Sequence, residues 1–139
     1  MTGRQRILCA LRGDSPDRVP VMLHQFMQAA SEAGVTMAEF RRNPAELARA
    51  FIESAEKYGL DGTMVDVDTA TLAGALGVPC EFPENEPAVC RGALLPALEA
   101  VNDLPPPDAG KDERIQVWVE GVRLIKRHFG DAHFVRGNC

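Results

Sequence analysis

Three stretches of this chain carry apolar residues at helical spacing, and each is followed by a glycine stop and then by an apolar run too short for a helix. The central one is the clearest. Asn43 predicts an N-cap, Pro44 suits the first helical position, and Glu46 can reach back to complete the cap. Leu47, Ala48, Phe51, Ile52 and Ala55 then form one stripe, Gly59 follows Tyr58 as a left-handed stop, and Gly62–Asp68 predicts a short buried strand. At the start of the chain, Thr2 and Gln5 resemble a capping box, with Ile7, Leu8 and Leu11 behind them and Gly13 as the stop. Ser15, Pro16 and Asp17 make a turn into Arg18–Leu23, a first strand in which Pro20 suits the start or an edge. In the last unit Ile115, Trp118, Val119, Val122, Ile125 and Phe129 make the stripe of a helix over Asp112–Phe129. Gly130 stops it, and Ala132–Arg136 begins a third strand.

The spacing between these units decides how the strands pair. About forty residues separate the first two runs, so their connection is a crossover and the strands are parallel. Part of that crossover, Ala29–Arg42, is rich in small residues and holds a second capping pattern, Thr36 with Glu39, ahead of Phe40. A short helix is expected near Thr69–Ala75, then a turn and an extended piece over Leu76–Phe82. Pro83, Pro87, Gly92 and Pro96 predict loop as far as Leu98, and Leu104, Pro105, Pro106 and Pro107 a stiff connector. Loops of this length inside a domain are usually functional and would spread over the mouth of the sheet. The fold class is α/β. Three parallel strands with helices on one side leave an apolar sheet face and an open edge, the pattern expected of the N-terminal piece of a larger fold, with residues 1–139 as one partial domain.

Composition narrows the function classes. With 139 residues, 45% of them hydrophobic, the chain can bury a core. A formal net charge of -5 without a dense basic patch argues against nucleic acid and anionic membrane surfaces. No apolar run reaches the ~18 residues of a membrane span, and the charged, amphipathic start is unlike a signal peptide, so a cytoplasmic location is expected. Cys9, Cys80, Cys90 and Cys139 have neither the spacing of a disulfide framework nor a Cys-x-x-Cys pair; they are expected to be buried or idle thiols, and no metal site is expected from this chain. Arg123, Lys126, Arg127 and His128 crowd the last turns of a helix, where cations suit its dipole.

The candidate chemistry lies where the second predicted strand ends. Asp66 and Asp68 share parity on it, and carboxylates at the C-terminal end of a parallel strand stand where substrates bind. His24, Gln25 and Gln28 follow the first strand and lie at the same end if the two are parallel. An equally good reading has one aspartate capping the next helix and the other in water.

Two blocks carry a family resemblance. Thr2–Val21, Thr-Gly-Arg-Gln-Arg-Ile-Leu-Cys-Ala-Leu-Arg-Gly-Asp-Ser-Pro-Asp-Arg-Val-Pro-Val, resembles the opening of the uroporphyrinogen decarboxylase superfamily. Tyr58–Asp68 and Ala75–Val78 resemble its second strand and the turn that follows. The resemblance implies the N-terminal part of a (β/α)8 TIM barrel, roughly the first 40% of such an enzyme, with its cleft at the C-terminal ends of the strands. In the decarboxylases, an aspartate at the position of Asp68 binds the pyrrole N–H groups without metal or organic cofactor. They also carry Arg-Gln-Ala-Gly-Arg after the first strand, whose arginines hold substrate carboxylates. Here that segment reads His24, Gln25, Phe26, Met27, Gln28, without the bidentate cations a substrate with eight carboxylates requires.

The superfamily's other branch resembles methyltransferases that move a methyl group between a corrinoid protein and a thiol or folate acceptor. Several of these hold zinc on a His-x-Cys pair and a later Cys, in strands beyond Cys139. The expectation is therefore a corrinoid-linked methyltransferase acting on a small molecule, with His24, Gln25, Gln28 and Asp66 binding substrate and Asp68 as the catalytic position. Zinc and a corrinoid partner would belong to the full-length protein, with no cofactor held within this chain. The alternatives are a uroporphyrinogen decarboxylase using Asp68, and an inactive fragment that forms a homo-oligomer through its bare sheet edge.

Overall fold

The capping signals build the helices they mark. Thr2 and Gln5 exchange both bonds of a capping box and start α1 (Gly3–Leu11). Thr36 receives the Glu39 amide at the start of α3 (Met37–Arg42), and Asn43 receives those of Ala45 and Glu46 at the start of α4 (Pro44–Tyr58). Glu46 does not reach back as expected: its carboxylate binds Arg49 at 2.6 Å, one turn on. Gly59 ends α4 with φ 60°, a conformation that a side chain would strain. Asp112 caps α6 (Glu113–Phe129) through the Ile115 amide. The computed structural model describes residues 1–106, 108 and 110–138. Pro107 of the predicted connector and Cys139 lie outside the described residues.

The remaining elements are β1 (Met22–Leu23), α2 (Phe26–Glu32), β2 (Gly62–Val65), α5 (Thr71–Ala75), β3 (Cys80–Glu81), β4 (Val89–Cys90) and β5 (Phe134–Gly137), with a 3-10 turn over Leu98–Asp103. β1, β2 and β5 form one parallel sheet in that order, Met22 opposite Gly62 and Gly62 opposite Phe134. This is the α/β architecture expected. β3 falls in the extended piece expected over Leu76–Phe82 and pairs across Pro83 and Pro87 with β4, in the segment read mostly as loop, to make a small antiparallel hairpin.

Two strands are shorter than their sequences suggest, for identifiable reasons. β1 covers only the last two residues of Arg18–Leu23: Pro20 has no N–H to donate, and both backbone groups of Val21 are taken by Asp61. β2 stops at Val65 because the next backbone amides are satisfied by side chains, Val67 by Asp66 and Ala70 and Thr71 by Asp68. The third strand runs to Gly137, one residue beyond the expected stretch.

Helices pack on one side of the sheet. Phe40, Leu47, Phe51 and Ile125 are almost fully buried there with Val65 and Val67, each of the large side chains contributing about 1.5–3 kcal/mol. By strand parity the opposite face carries Gly62, Met64 and then Asp66. α1 closes the N-terminal end of the sheet, where Gly3 leaves no room for a Cβ against the Asp61 backbone and the Arg4 amide binds the Ala132 carbonyl at 3.0 Å. The basic residues ending α6 are engaged structurally: Lys126 with Asp131, His128 with Glu56, and Arg123 and Arg127 with Glu120.

Next to β5, His133 is buried, 2.8 Å from the Thr63 hydroxyl and stacked on Phe129 at 4.2 Å. Burial pushes its pKa below the ordinary 6.5, against the opposing pull of Asp61. Below about pH 6.5 the unfolded chain therefore takes a proton that the folded chain refuses, and stability falls as pH falls. Asp61 adds a separate loss at lower pH. Burial favours its neutral form, but the Val21 amide, Arg6 and Arg18 hold its carboxyl below the ordinary 3.8. Urea unfolding midpoints should drop between about pH 7 and pH 5, and His133→Asn should flatten that slope; an equal slope in the variant would refute the assignment.

Candidate functional site

The end of β2 places two carboxylates in different environments. Asp66 Oδ1 accepts the Val67 amide at 2.9 Å, while Oδ2 meets His24 Nε2 at 2.8 Å and the Asn138 side-chain amide at 3.1 Å. Three strands thus contribute to one cluster, since His24 follows β1, Asp66 follows β2 and Asn138 follows β5. Half of the His24 side chain remains exposed, whereas Asp66 is buried. A carboxylate holding one edge of an imidazole orients the ring, which leaves the exposed edge of His24 positioned to meet a bound molecule.

Asp68 is committed to the fold. Its Oδ1 accepts the Ala70 and Thr71 amides at 2.8 and 2.6 Å, turning the chain into α5, and Oδ2 accepts the Thr71 hydroxyl at 3.0 Å. Arg41 Nε lies 3.5 Å from the same Oδ2. The Arg41 guanidinium, 3% exposed, donates to the carbonyls of Pro83 (2.6 Å) and Glu86 (2.8 Å), so it ties the hairpin loop to α3. Burial lowers its pKa, and Asp68 acts in the other direction. Phe82 lies beside it, with the Arg114 guanidinium 4.0 Å from the ring centre.

Asp66, Asp68, Thr69, Leu72, Trp118 and Asn138 line a cavity of about 130 Å³ at this end of the sheet. That is below the ~300–1,000 Å³ of a ligand pocket, as befits one wall of a cleft. The buried indole N–H of Trp118 has no hydrogen-bond partner among the described residues. Hollows of about 430 and 500 Å³ lie between helices instead, lined by residues such as Val35 and Met37, or Ile52 and Leu124.

The structure brings His24, Asp66 and Asp68 to one end of the sheet and directs the two glutamines elsewhere. Gln25 is buried, its amide donating to Ser54 of α4 at 2.7 Å. Gln28 is exposed on α2 and bonds Glu32, whose carboxylate also takes Tyr58 and Lys57 from the last turn of α4. Sequence reasoning overlooked Arg41, Asn138 and the place of Trp118 in the wall of this cavity. A signal existed for Arg41: Met37, Phe40 and Arg41 stand at i, i+3 and i+4, so the arginine shares the buried face of α3.

The sequence family described as uroporphyrinogen decarboxylase (URO-D) matches residues 2–139. The chain belongs to this family. Uroporphyrinogen decarboxylases of Xanthomonas campestris pv. campestris, strains B100 and 8004, are 27% identical to it over 145 residues. The match covers 95% of this chain, which spans 38% of the length of those relatives. A methyltransferase from Methanosarcina mazei superposes with a TM-score of 0.82 at 22% identity, covering 99% of this chain and 42% of the methyltransferase. That likeness concerns the fold, and the URO-D chain accordingly has the architecture of the N-terminal part of a TIM barrel.

In this URO-D chain the Arg41–Asp68 pair makes a prediction about stability. Asp68→Asn turns an amide donor toward the Arg41 guanidinium and should cost roughly 3 kcal/mol, because one member of a buried pair is left uncompensated. Adding Arg41→Met should recover part of that loss, giving a coupling energy of roughly 1–3 kcal/mol in a urea-unfolding double-mutant cycle. Strictly additive costs would show that the two groups do not interact.

Proposed function

We propose that this chain forms one wall of the active cleft of a corrinoid-linked methyltransferase of the URO-D superfamily, acting on a small molecule in the cytoplasm. The observation that carries the reading is the charge of that wall. Its polar groups are Asp66, Asp68, His24 and Asn138, and its buried guanidinium, Arg41, is already held by two carbonyls and Asp68. The further guanidiniums near this end are Arg114, on the Phe82 ring, and Arg136, on the Asn138 side-chain oxygen. Two exposed cations beside two carboxylates are few for a substrate bearing eight carboxylates, and the wall suits a less anionic one better.

A corrinoid protein partner supplies the methyl group in this reading, to a thiol or folate acceptor, and zinc where present lowers the acceptor thiol's pKa. Among the described residues no three His, Cys, Asp or Glu side chains converge on a metal position, so no step is assigned to a metal here. The chain's own part is to bind and orient. Asp66 fixes the His24 ring through Nε2, and Leu72 and Trp118 exclude water from that end of the cleft.

Decarboxylation of uroporphyrinogen with Asp68 is the second reading, favoured by the name of the 27% identical relatives. The two are separated by assaying the full-length protein anaerobically. Demethylation of a methylated corrinoid in the presence of a thiol or folate, without release of carbon dioxide from uroporphyrinogen, is the expected result; carbon dioxide release without methyl transfer would overturn it. Asp66→Ala should lower the methyl-transfer rate roughly tenfold or more by freeing the His24 ring, with its fold checked by urea unfolding.

A further inference from the structure

We propose that Cys80 and Cys90 are a reversible dithiol–disulfide pair that fastens the β3–β4 hairpin beside the candidate site. The two residues face each other in the antiparallel ladder. The amide of Arg91 donates to the carbonyl of Pro79 at 2.7 Å, the residues just outside them. That bond places Cys80 and Cys90 at a non-hydrogen-bonded pair, where Cα atoms approach to about 4.5 Å and side chains lie closest, within the range a disulfide spans. Their sulfurs are 3.2 Å apart, so closure requires a movement of roughly 1 Å to the covalent ~2.05 Å.

The surroundings assign the two thiols different parts. Cys90 is exposed, while Cys80 is half-buried with its Sγ 3.7 Å from the Ala70 carbonyl. Burial and the neighbouring Cys90 push the Cys80 thiol up to about 11. Cys90 is therefore the entry point. Its thiolate attacks a low-molecular-weight disulfide, forming a mixed disulfide and releasing one thiol. The Cys80 sulfur then attacks Cys90 Sγ and expels the second. Two cysteine thiols and one external disulfide become one internal disulfide and two external thiols, the cysteine protons passing to the leaving groups.

The hairpin touches the site from both sides. The Arg41 guanidinium binds the carbonyls of Pro83 and Glu86 in its loop, and Ala70, next to the Cys80 sulfur, gives its amide to Asp68. A bond between residues 80 and 90 restrains the segment that positions Arg41 against Asp68.

The purified protein equilibrated in glutathione buffers, acid-quenched, alkylated and digested with trypsin provides the test. No lysine or arginine lies between Tyr58 and Arg91, so one peptide carries both cysteines. Under oxidising buffer that peptide should appear unalkylated and about 2 Da lighter than the dithiol form. At fixed reduced glutathione, a tenfold rise in glutathione disulfide should raise the disulfide-to-dithiol ratio about tenfold. Cys80→Ser should trap glutathione on Cys90, and Cys90→Ser should prevent the reaction. Full alkylation of both cysteines after oxidation, a stable glutathione adduct on Cys90 in the unmodified sequence, or a bond between two chains would each overturn the proposal. The mapping of the unmodified sequence decides the matter even if a variant fails to fold.

Discussion

The arrangement of this chain hangs on Asp61, the residue ahead of the central strand. Its amide donates to Val21 at 2.8 Å, its carbonyl receives the Phe134 amide at 3.1 Å, and its carboxylate accepts the Val21 amide, Arg6 and Arg18. One residue therefore sets all three parallel strands in register and seats α1 under them. A carboxylate with 2% of its surface exposed is costly to bury, and the guanidiniums and the amide offset that cost. Parallel strands joined by long crossovers have no hairpin turn to fix their offset, so a polar lock at one end does the work a tight turn does in an antiparallel sheet.

Fixing the N-terminal ends fixes the C-terminal ends as well. With Met22, Gly62 and Phe134 level across the sheet, the residues after the strands, His24, Asp66 and Asn138, reach one cluster. Structural charge at one end and candidate chemistry at the other is the division of labour that parallel α/β folds impose, because loops at the C-terminal ends of strands are free to vary while the opposite end holds the frame. The two aspartates after β2 illustrate the same division on a smaller scale. Asp68 turns the chain and binds Arg41; Asp66 faces the imidazole.

The functional proposal rests on electrostatics at that wall. The matching family and the 27% identical relatives carry the name of a decarboxylase, and the solved structure of like fold carries that of a methyltransferase. What separates them is whether cations stand free to meet carboxylates. Arg41 is the guanidinium closest to Asp68, and its donors point at backbone carbonyls of the hairpin loop. The same loop joins the redox proposal to the site, since Cys80 and Cys90 close the hairpin from which Arg41 takes its partners.

Local chemistry determined a large part of this protein. The capping residues Thr2, Thr36, Asn43 and Asp112, the stop at Gly59 and the apolar stripes of α4 and α6 are all decided within one or two turns, so they can be read from neighbouring residues. The parallel order follows from crossover length, and Asp66 and Asp68 stand out because they end an apolar run. Tertiary structure decided which side chains meet across long separations. Asp61 with Arg6 and Arg18, Arg41 with Asp68 and the hairpin carbonyls, and His24 with Asp66 and Asn138 are partners tens of residues apart, and no local period encodes them. The same holds for the ends of β1 and β2. Their extent depends on whether backbone groups find a strand or a side chain as partner, and that is a competition settled only when the chain has folded.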